Sequence, residues 1–307
     1  MNENERWLLR HVCNGDLKRA QDQAKIILEG IKTQKDERFK DNMLANLNAQ
    51  RSKLIELPPN LRGMIIAENV EDFPIQRFLI RDEEEKVVSD ILNLYRAADK
   101  LKKLSIPYLA ALILHGESGC GKTMLAKYIA YKANLPFVYV KFSNLVGQYL
   151  GNTQSNIGRI FEYIQGMPCV LCFDELDAIG MARGQRNDVG EMNRIVIALM
   201  QEMDQCSNDL ILIGTTNRYD RLDPALTRRF SLHHEVMPLT KEESVNMAKA
   251  FFASCNTVLD NQEFNQWFAE NLKTDQNTSS DVVRECTKYV VDQIIKTENN
   301  KEDAANG

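Results

Sequence analysis

The amino-acid sequence predicts an α/β protein: a three-layer arrangement around a parallel sheet, with a helical module before it and a small helical lid after it. Three observations predict this. Short apolar runs at 109–114, 137–142, 169–173 and 210–214 alternate with stretches of helical spacing. That is the pattern of strands buried on both faces and joined by crossover helices. The first run leads into a glycine-rich loop, Gly116-Glu-Ser-Gly-Cys-Gly-Lys-Thr123, and then a helical stretch, Met124–Tyr131. Before residue 58 and after Pro238, the apolar spacing is helical.

The segments follow in order. Residues 1–57 form a helical docking module. Asn14-Gly15-Asp16 breaks its first helix, Leu17, Ala20, Ala24, Ile27 and Ile31 stripe the second, and Phe39, Met43, Leu47 and Leu54 mark a third. Pro58-Pro59 then stops helix formation. So small a unit has little core of its own and packs on something. A helical bundle that merely decorates the chain is the alternative. Residues 58–107 are a linker and a leading charged helix, whose acidic start 82–85 complements the helix dipole. Residues 108–237 carry the sheet. Residues 238–298 are the lid, with Phe251, Phe252, Trp267 and Phe268 as its core, and 299–307 form a disordered tail.

Composition narrows the class. Of 307 residues, 44% are hydrophobic and 26% charged, ordinary for a globular protein in water. No apolar stretch is long enough to span a membrane, and the polar start does not resemble a secretory signal. Seven scattered cysteines suit a reducing, cytoplasmic setting. A net charge of −5 gives no support for a large nucleic-acid footprint.

The glycine loop is G-x-x-x-x-G-K-T, a phosphate-binding loop. Gly116, Gly119 and Gly121 let the backbone curl so that N–H groups, including those of Glu117, Ser118 and Cys120, face phosphate oxygens. Lys122 bridges the outer phosphates, Thr123 ligates Mg²⁺, and Met124 continues the helix whose N-terminus favours the anion. A nucleoside triphosphate with Mg²⁺ is therefore the expected ligand, and the resemblance described next implies ATP. Cys169-Val-Leu-Cys-Phe-Asp-Glu175 reads as a buried strand ending in two carboxylates. Asp174 is expected in the metal shell and Glu175 beside the attacking water. A second apolar run ends at Asn217, placed to hydrogen-bond the water or the γ-phosphate. Arg228 and Arg229 are candidates for bidentate phosphate contacts.

These stretches together resemble the AAA ATPase family, in particular katanin-like protein-remodelling members. The resemblance rests on 116–123, on Phe-Asp-Glu-Leu-Asp-Ala-Ile at 173–179, on Gly-Thr-Thr-Asn-Arg at 214–218 and on Leu-Asp-Pro-Ala-Leu-Thr-Arg-Arg-Phe at 222–230. Asn277-Thr-Ser-Ser-Asp-Val282 is similar to the turn of the family's lid that lies against adenine, which implicates Ser279 and Ser280. The similarity covers roughly 105–295, and the chain looks most like stand-alone prokaryotic members with a short helical N-terminus. It implies a P-loop AAA large subdomain, a homo-oligomer of hexamer size, and Arg228 and Arg229 acting on a neighbour's nucleotide, with Asp204 near that boundary. It also implies that Tyr149, between Gly147 and Gly151, projects from a pore loop onto a polypeptide client. Arg183 and Arg186 belong to a second pore-facing loop or to a solvated one. The alternatives are an ATP-gated switch on a partner such as a protease, possibly in defence, and a nucleic-acid assembly ATPase.

Three weaker signals remain. Cys169 and Cys172 have redox spacing, but on a strand they point to opposite faces. His233-His234 has no third metal ligand nearby and reads as surface. Cys120, beside Lys122 and a helix N-terminus, has neighbours that lower a thiol pKa; it is either open to oxidation, which would block the phosphate site, or inert like most cysteines.

Overall fold

The computed structural model describes residues 3–13, 17–30, 40, 61, 63–106, 108–142, 145, 153–178, 188–206, 209–273 and 275–306. The chain divides into two compact units, 1–56 and 57–307. In the first, helices α1 (Glu3–Cys13) and α2 (Leu17–Glu29) are described, and Ala20 and Leu28 of α2 are buried. The third helix predicted there lies outside the described residues, apart from Lys40.

The second unit begins with strand β1 (Ile65–Glu68) and helix α3 (Asp82–Lys103). The core alternation follows: β2 (Ala110–His115), α4 (Lys122–Ala133), β3 (Phe137–Lys141), α5 (Thr153–Ile164), β4 (Cys169–Asp174), α6 (Asp188–Gln205), β5 (Leu210–Thr216), a single-turn α7 (Pro224–Thr227) and β6 (Leu232–Glu235). The lid comprises β7 (Leu239–Thr240), α8 (Lys241–Ser254), α9 (Asn261–Asn271), β8 (Gln276–Asn277) and α10 (Ser279–Asn306).

The sheet order is β1-β3-β4-β5-β2-β6, parallel except for β1. Every residue of β5 is buried, as are the first five of β2 and of β4, so these strands appear in sequence as unbroken apolar runs. The α/β expectation therefore holds. Two edge strands escaped it. β1, inside the segment expected to be a linker, pairs Ile65–Glu68 with Phe137–Val140, and Val88, Ile91 and Leu92 of α3 pack into the core under the sheet. β6, Leu-His-His-Glu, has too little apolar character to announce a strand, yet it pairs with Leu112–His115. His234 is half-buried on it, not on the surface as expected.

The lid has its own core, in which Phe252 meets Trp267 edge-on at 4.9 Å. Phe251, Phe252, Trp267 and Phe268 are all buried there, as the spacing predicts. α10 continues to Asn306, across the polar stretch expected to be a disordered tail. No glycine or proline falls between Ser279 and Asn306, and Ala304 and Ala305 favour helix.

The lid's first turn contains a strong carboxylate anchor. Glu243 accepts from the Thr240 N–H at 2.8 Å and pairs with Arg81 at 2.6 Å. The Arg81 hydrogen bond, chiefly, pulls its carboxyl from the ordinary 4.5 to about 2. A carboxyl depressed on folding stabilises the native state above its unfolded pKa and loses that contribution as pH falls towards the folded one. Thermal melting followed from pH 6 to pH 2 should therefore show stability falling below about 4.5, with a shallower fall in Glu243→Gln. Equal slopes in the two proteins would contradict the assignment.

Candidate active site

Strands β2, β4 and β5 end at one edge of the sheet, the edge where open α/β folds bind ligands. β5 lies between the other two; Thr215 and Thr216 at its end hydrogen-bond Asp174 and Asp177, and Asn217 just beyond it reaches Lys122. The loop after β2 turns back through Gly116 at φ +137° and Gly119 at φ +83°. A Cβ at Gly116 would sit 2.3 Å from the Val236 carbonyl oxygen, and one at Gly119 would meet Thr278 and Ser280 at 3.1–3.2 Å. A side chain would clash with the backbone at Gly116 and would be strained by the positive φ at Gly119.

Lys122 opens α4 and is only 7% exposed. Its ammonium donates to the carbonyls of Gly116 (3.0 Å) and Glu117 (2.7 Å) and to Asn217 Oδ1 (2.7 Å). Burial lowers its pKa, which Asp174 and Asp177 partly oppose. Glu117 and Ser118 are exposed at the loop's tip, and Thr123 and Met124 are half-buried on α4. Asn217, expected near a water or phosphate, is thus placed against the phosphate-loop lysine.

Asp174 ends β4 and receives two hydroxyls, Tyr139 Oη at 2.6 Å and Thr215 Oγ1. Burial and that carboxylate push the Tyr139 hydroxyl's pKa well up, so it remains a donor. Glu175 takes a positive φ of +59°, rare for a residue with a side chain. The turn is secured by Thr215, whose hydroxyl meets the Glu175 N–H at 3.4 Å and whose carbonyl accepts from Leu176 at 2.9 Å. Backbone strain of this kind clusters at functional sites. Lys141, at the end of β3, pairs with Glu175 at 3.1 Å. Three residues beyond Asp174, in the turn after β4, Asp177 is buried and accepts from Thr216 Oγ1 at 2.8 Å and from the Asn217 N–H at 3.2 Å. Tyr139, Lys141, Thr215 and Asp177 were not singled out from the sequence. Their signal was register: Lys141 lies opposite Asp174 on the neighbouring strand.

Beside the loop is a cavity of about 460 Å³, walled by Phe78, Leu79, Cys120, Met124, Val236 and Phe251 among others. Its size and apolar lining match a small-molecule site. Ser279 and Ser280 line it from α10. The Ser280 N–H donates to the Gly119 carbonyl at 3.0 Å, and Ser279 Oγ to that of Cys120 at 3.3 Å. Loop and lid are therefore hydrogen-bonded to one another. Cys120 corrects an expectation. It is 4% exposed, and burial raises its thiol pKa more than Lys122 lowers it, so it is a wall residue and not an activated thiol.

The two arginines part company. Arg229 pairs through Nε and Nη2 with Asp204 of α6 (3.0 and 2.9 Å) and donates from Nη1 to the Ala225 carbonyl. Arg228 is exposed, and among the described residues its side chain makes no ion pair. Tyr149, Arg183 and Arg186 lie outside the described residues.

Residues 112–237 match the family described as ATPase family associated with various cellular activities, AAA. The segment 112–237 is an AAA ATPase domain. It is 38% identical over 153 residues to the peroxisomal ATPase pex6 of Schizosaccharomyces pombe, covering 48% of this chain and 16% of that protein. It is 34% identical over 145 residues to an uncharacterized AAA family ATPase, y4kL, of Sinorhizobium fredii, covering 47% and 44%. Over 202 residues it is 33% identical to a proteasome-activating nucleotidase of Methanosphaerula palustris, covering 62% and 49%. The chain thus spans less than half the length of each of these relatives. All the catalytic candidates of the AAA domain, from Gly116 to Arg229, fall inside the matched segment. Ser279 and Ser280 fall outside it.

Proposed function

We propose that this AAA protein binds ATP with Mg²⁺ and hydrolyses it, assembles as a homo-oligomer of hexamer size with active sites completed between subunits, and uses the cycle to remodel a polypeptide partner. The observation that carries the catalytic part is the pair of neighbouring hydrogen-bonded clusters at the strand ends, Lys122–Asn217–Asp177 and Glu175–Thr215–Asp174. The glycine cradle and the adjoining cavity suit a nucleotide: phosphates at the loop, base against the apolar wall.

In this reading the three acceptors now on the Lys122 ammonium give way to phosphate oxygens. Thr123 and Asp174 hold the Mg²⁺, which supplies charge neutralisation on the phosphates. Glu175 leaves Lys141 to accept a proton from water. The water oxygen bonds to the γ-phosphorus as the bond to the bridging oxygen breaks, giving ADP and phosphate. Arg228, with no ion pair of its own among the described residues, reaches a neighbour's nucleotide, while Arg229 braces the turn that carries it. Action on a protein partner is supported by the name of one relative, a proteasome-activating nucleotidase, and by Tyr149 between two glycines.

Phosphate release from ATP in the presence of Mg²⁺ tests the catalytic part; a purified full chain without turnover above the Lys122→Ala background would refute it. The client-facing part makes a separate prediction. Tyr149→Ala should keep phosphate release near wild type and abolish unfolding of a fluorescent reporter carrying an unstructured tail. Undiminished unfolding by that variant would remove the pore-loop role.

A further inference from the structure

Arg81 lies outside every motif, at the N-cap of α3, yet its guanidinium uses all five of its N–H donors. Nε donates to Glu243 Oε1 at 2.6 Å and Nη2 to Glu243 Oε2 at 3.0 Å, a bidentate pair with the first turn of lid helix α8. Nη2 also donates to the Pro238 carbonyl at 2.9 Å, and Nη1 to that of Met237 at 3.1 Å. The last contact joins Nη1 to Glu84 Oε1 at 3.3 Å. Met237 and Pro238 are the connector between the sheet and the lid. Their neighbours on either side, Val236 and Leu239, wall the cavity, and so does Arg81.

A second arginine, four residues earlier at the end of a short 3-10 turn, makes a similar arrangement. Arg77 Nε donates to Ser254 Oγ at 2.6 Å, and its guanidinium lies 4.9 Å from the centre of the Phe251 ring. Glu243 and Ser254 are the two ends of α8. Between them, Met247 and Phe251 face the cavity. The segment 77–81 thus holds one lid helix at both ends, with its cavity-facing residues in the middle.

We infer that Arg81, assisted by Arg77, is a positioning residue that locks the lid against the base cavity and so sets the affinity for the base and sugar part of a nucleotide, leaving the phosphate loop untouched. The inference rests on the nucleotide reading of this site. Arg81 reaches the ligand through the connector and α8, by fixing where Val236, Leu239, Met247 and Phe251 stand. A planar fork is required, because the lysine ammonium cannot serve two carbonyls and a bidentate carboxylate in one geometry.

The test separates the base from the phosphates. Fluorescently labelled ADP is titrated into the full chain, and tripolyphosphate, which has no base, is measured by calorimetry. Arg81→Ala should weaken ADP about tenfold or more and leave tripolyphosphate unchanged, with Arg81→Lys close to it. Hydrogen exchange should rise at 237–243. Unchanged ADP affinity would overturn the inference, and so would equal losses for ADP and tripolyphosphate, which mark a general structural role. Glu243→Gln provides the same comparison if Arg81→Ala does not fold; its expected loss is several-fold, for ADP alone. Lys122→Ala is the control for the site itself. If it keeps both ligands, the nucleotide reading fails, whatever the Arg81 variants do.

Discussion

Glu175→Gln is expected to keep ATP bound and to lower phosphate release by at least about a hundredfold, the scale of a lost general base. The variant keeps the size of the side chain and can still occupy the positive-φ turn secured by Thr215. What it loses is the basic carboxylate and the ion pair with Lys141 at 3.1 Å. Binding is spared because the phosphate cradle belongs to a different loop. The opposite split is expected for Lys122→Ala. That change empties a buried position and leaves the carbonyls of Gly116 and Glu117 and the Asn217 amide oxygen without their donor. Nucleotide binding itself should be lost. Equilibrium binding of a fluorescent ATP analogue alongside phosphate release distinguishes the two. A Glu175→Gln chain with wild-type turnover would remove the catalytic assignment.

Arg228→Ala should lower turnover by about a thousandfold without unfolding the chain, the range associated with an arginine that stabilises transition-state charge. Its side chain is exposed and makes no ion pair among the described residues, so its removal breaks none of the ion pairs described there. Arg229→Ala should behave differently. It breaks a bidentate pair with Asp204 and a bond to the Ala225 carbonyl, and so should lower both the melting temperature and the rate. Circular dichroism melts of the two variants, read beside their phosphate release, check this contrast. A melting loss confined to Arg228→Ala would reverse the assignment of roles.

The division between these neighbours shows what the sequence could and could not reveal. Arg-Arg in a motif marks both residues alike. Only the folded chain brings Asp204, on another helix, to one of them. The central strands were legible because burial on both faces forces apolar runs, and the phosphate loop because its glycines and lysine have fixed spacing. The edge strands were not. β1 is only four residues long, and β6 carries two histidines and a glutamate. Cys120 was misjudged because its neighbours in sequence, Lys122 and the helix start, favour a thiolate, whereas the cavity wall around it comes from distant residues and favours the thiol. The ties that orient the site are long-range as well. Tyr139 and Thr215 reach Asp174 from adjacent strands, and Arg81 reaches Glu243 across the whole sheet-bearing segment.

The central claim is a hydrolytic site completed by a neighbouring copy. Its most direct test mixes two inactive chains, Glu175→Gln and Arg228→Ala, at equal concentration, with co-assembly verified by mass. A boundary that joins the intact Glu175 of one chain to the intact Arg228 of the other is complete. Phosphate release should therefore reappear in the mixture while each chain alone stays near background. Mixed assemblies that remain as inactive as their parents would contradict the account.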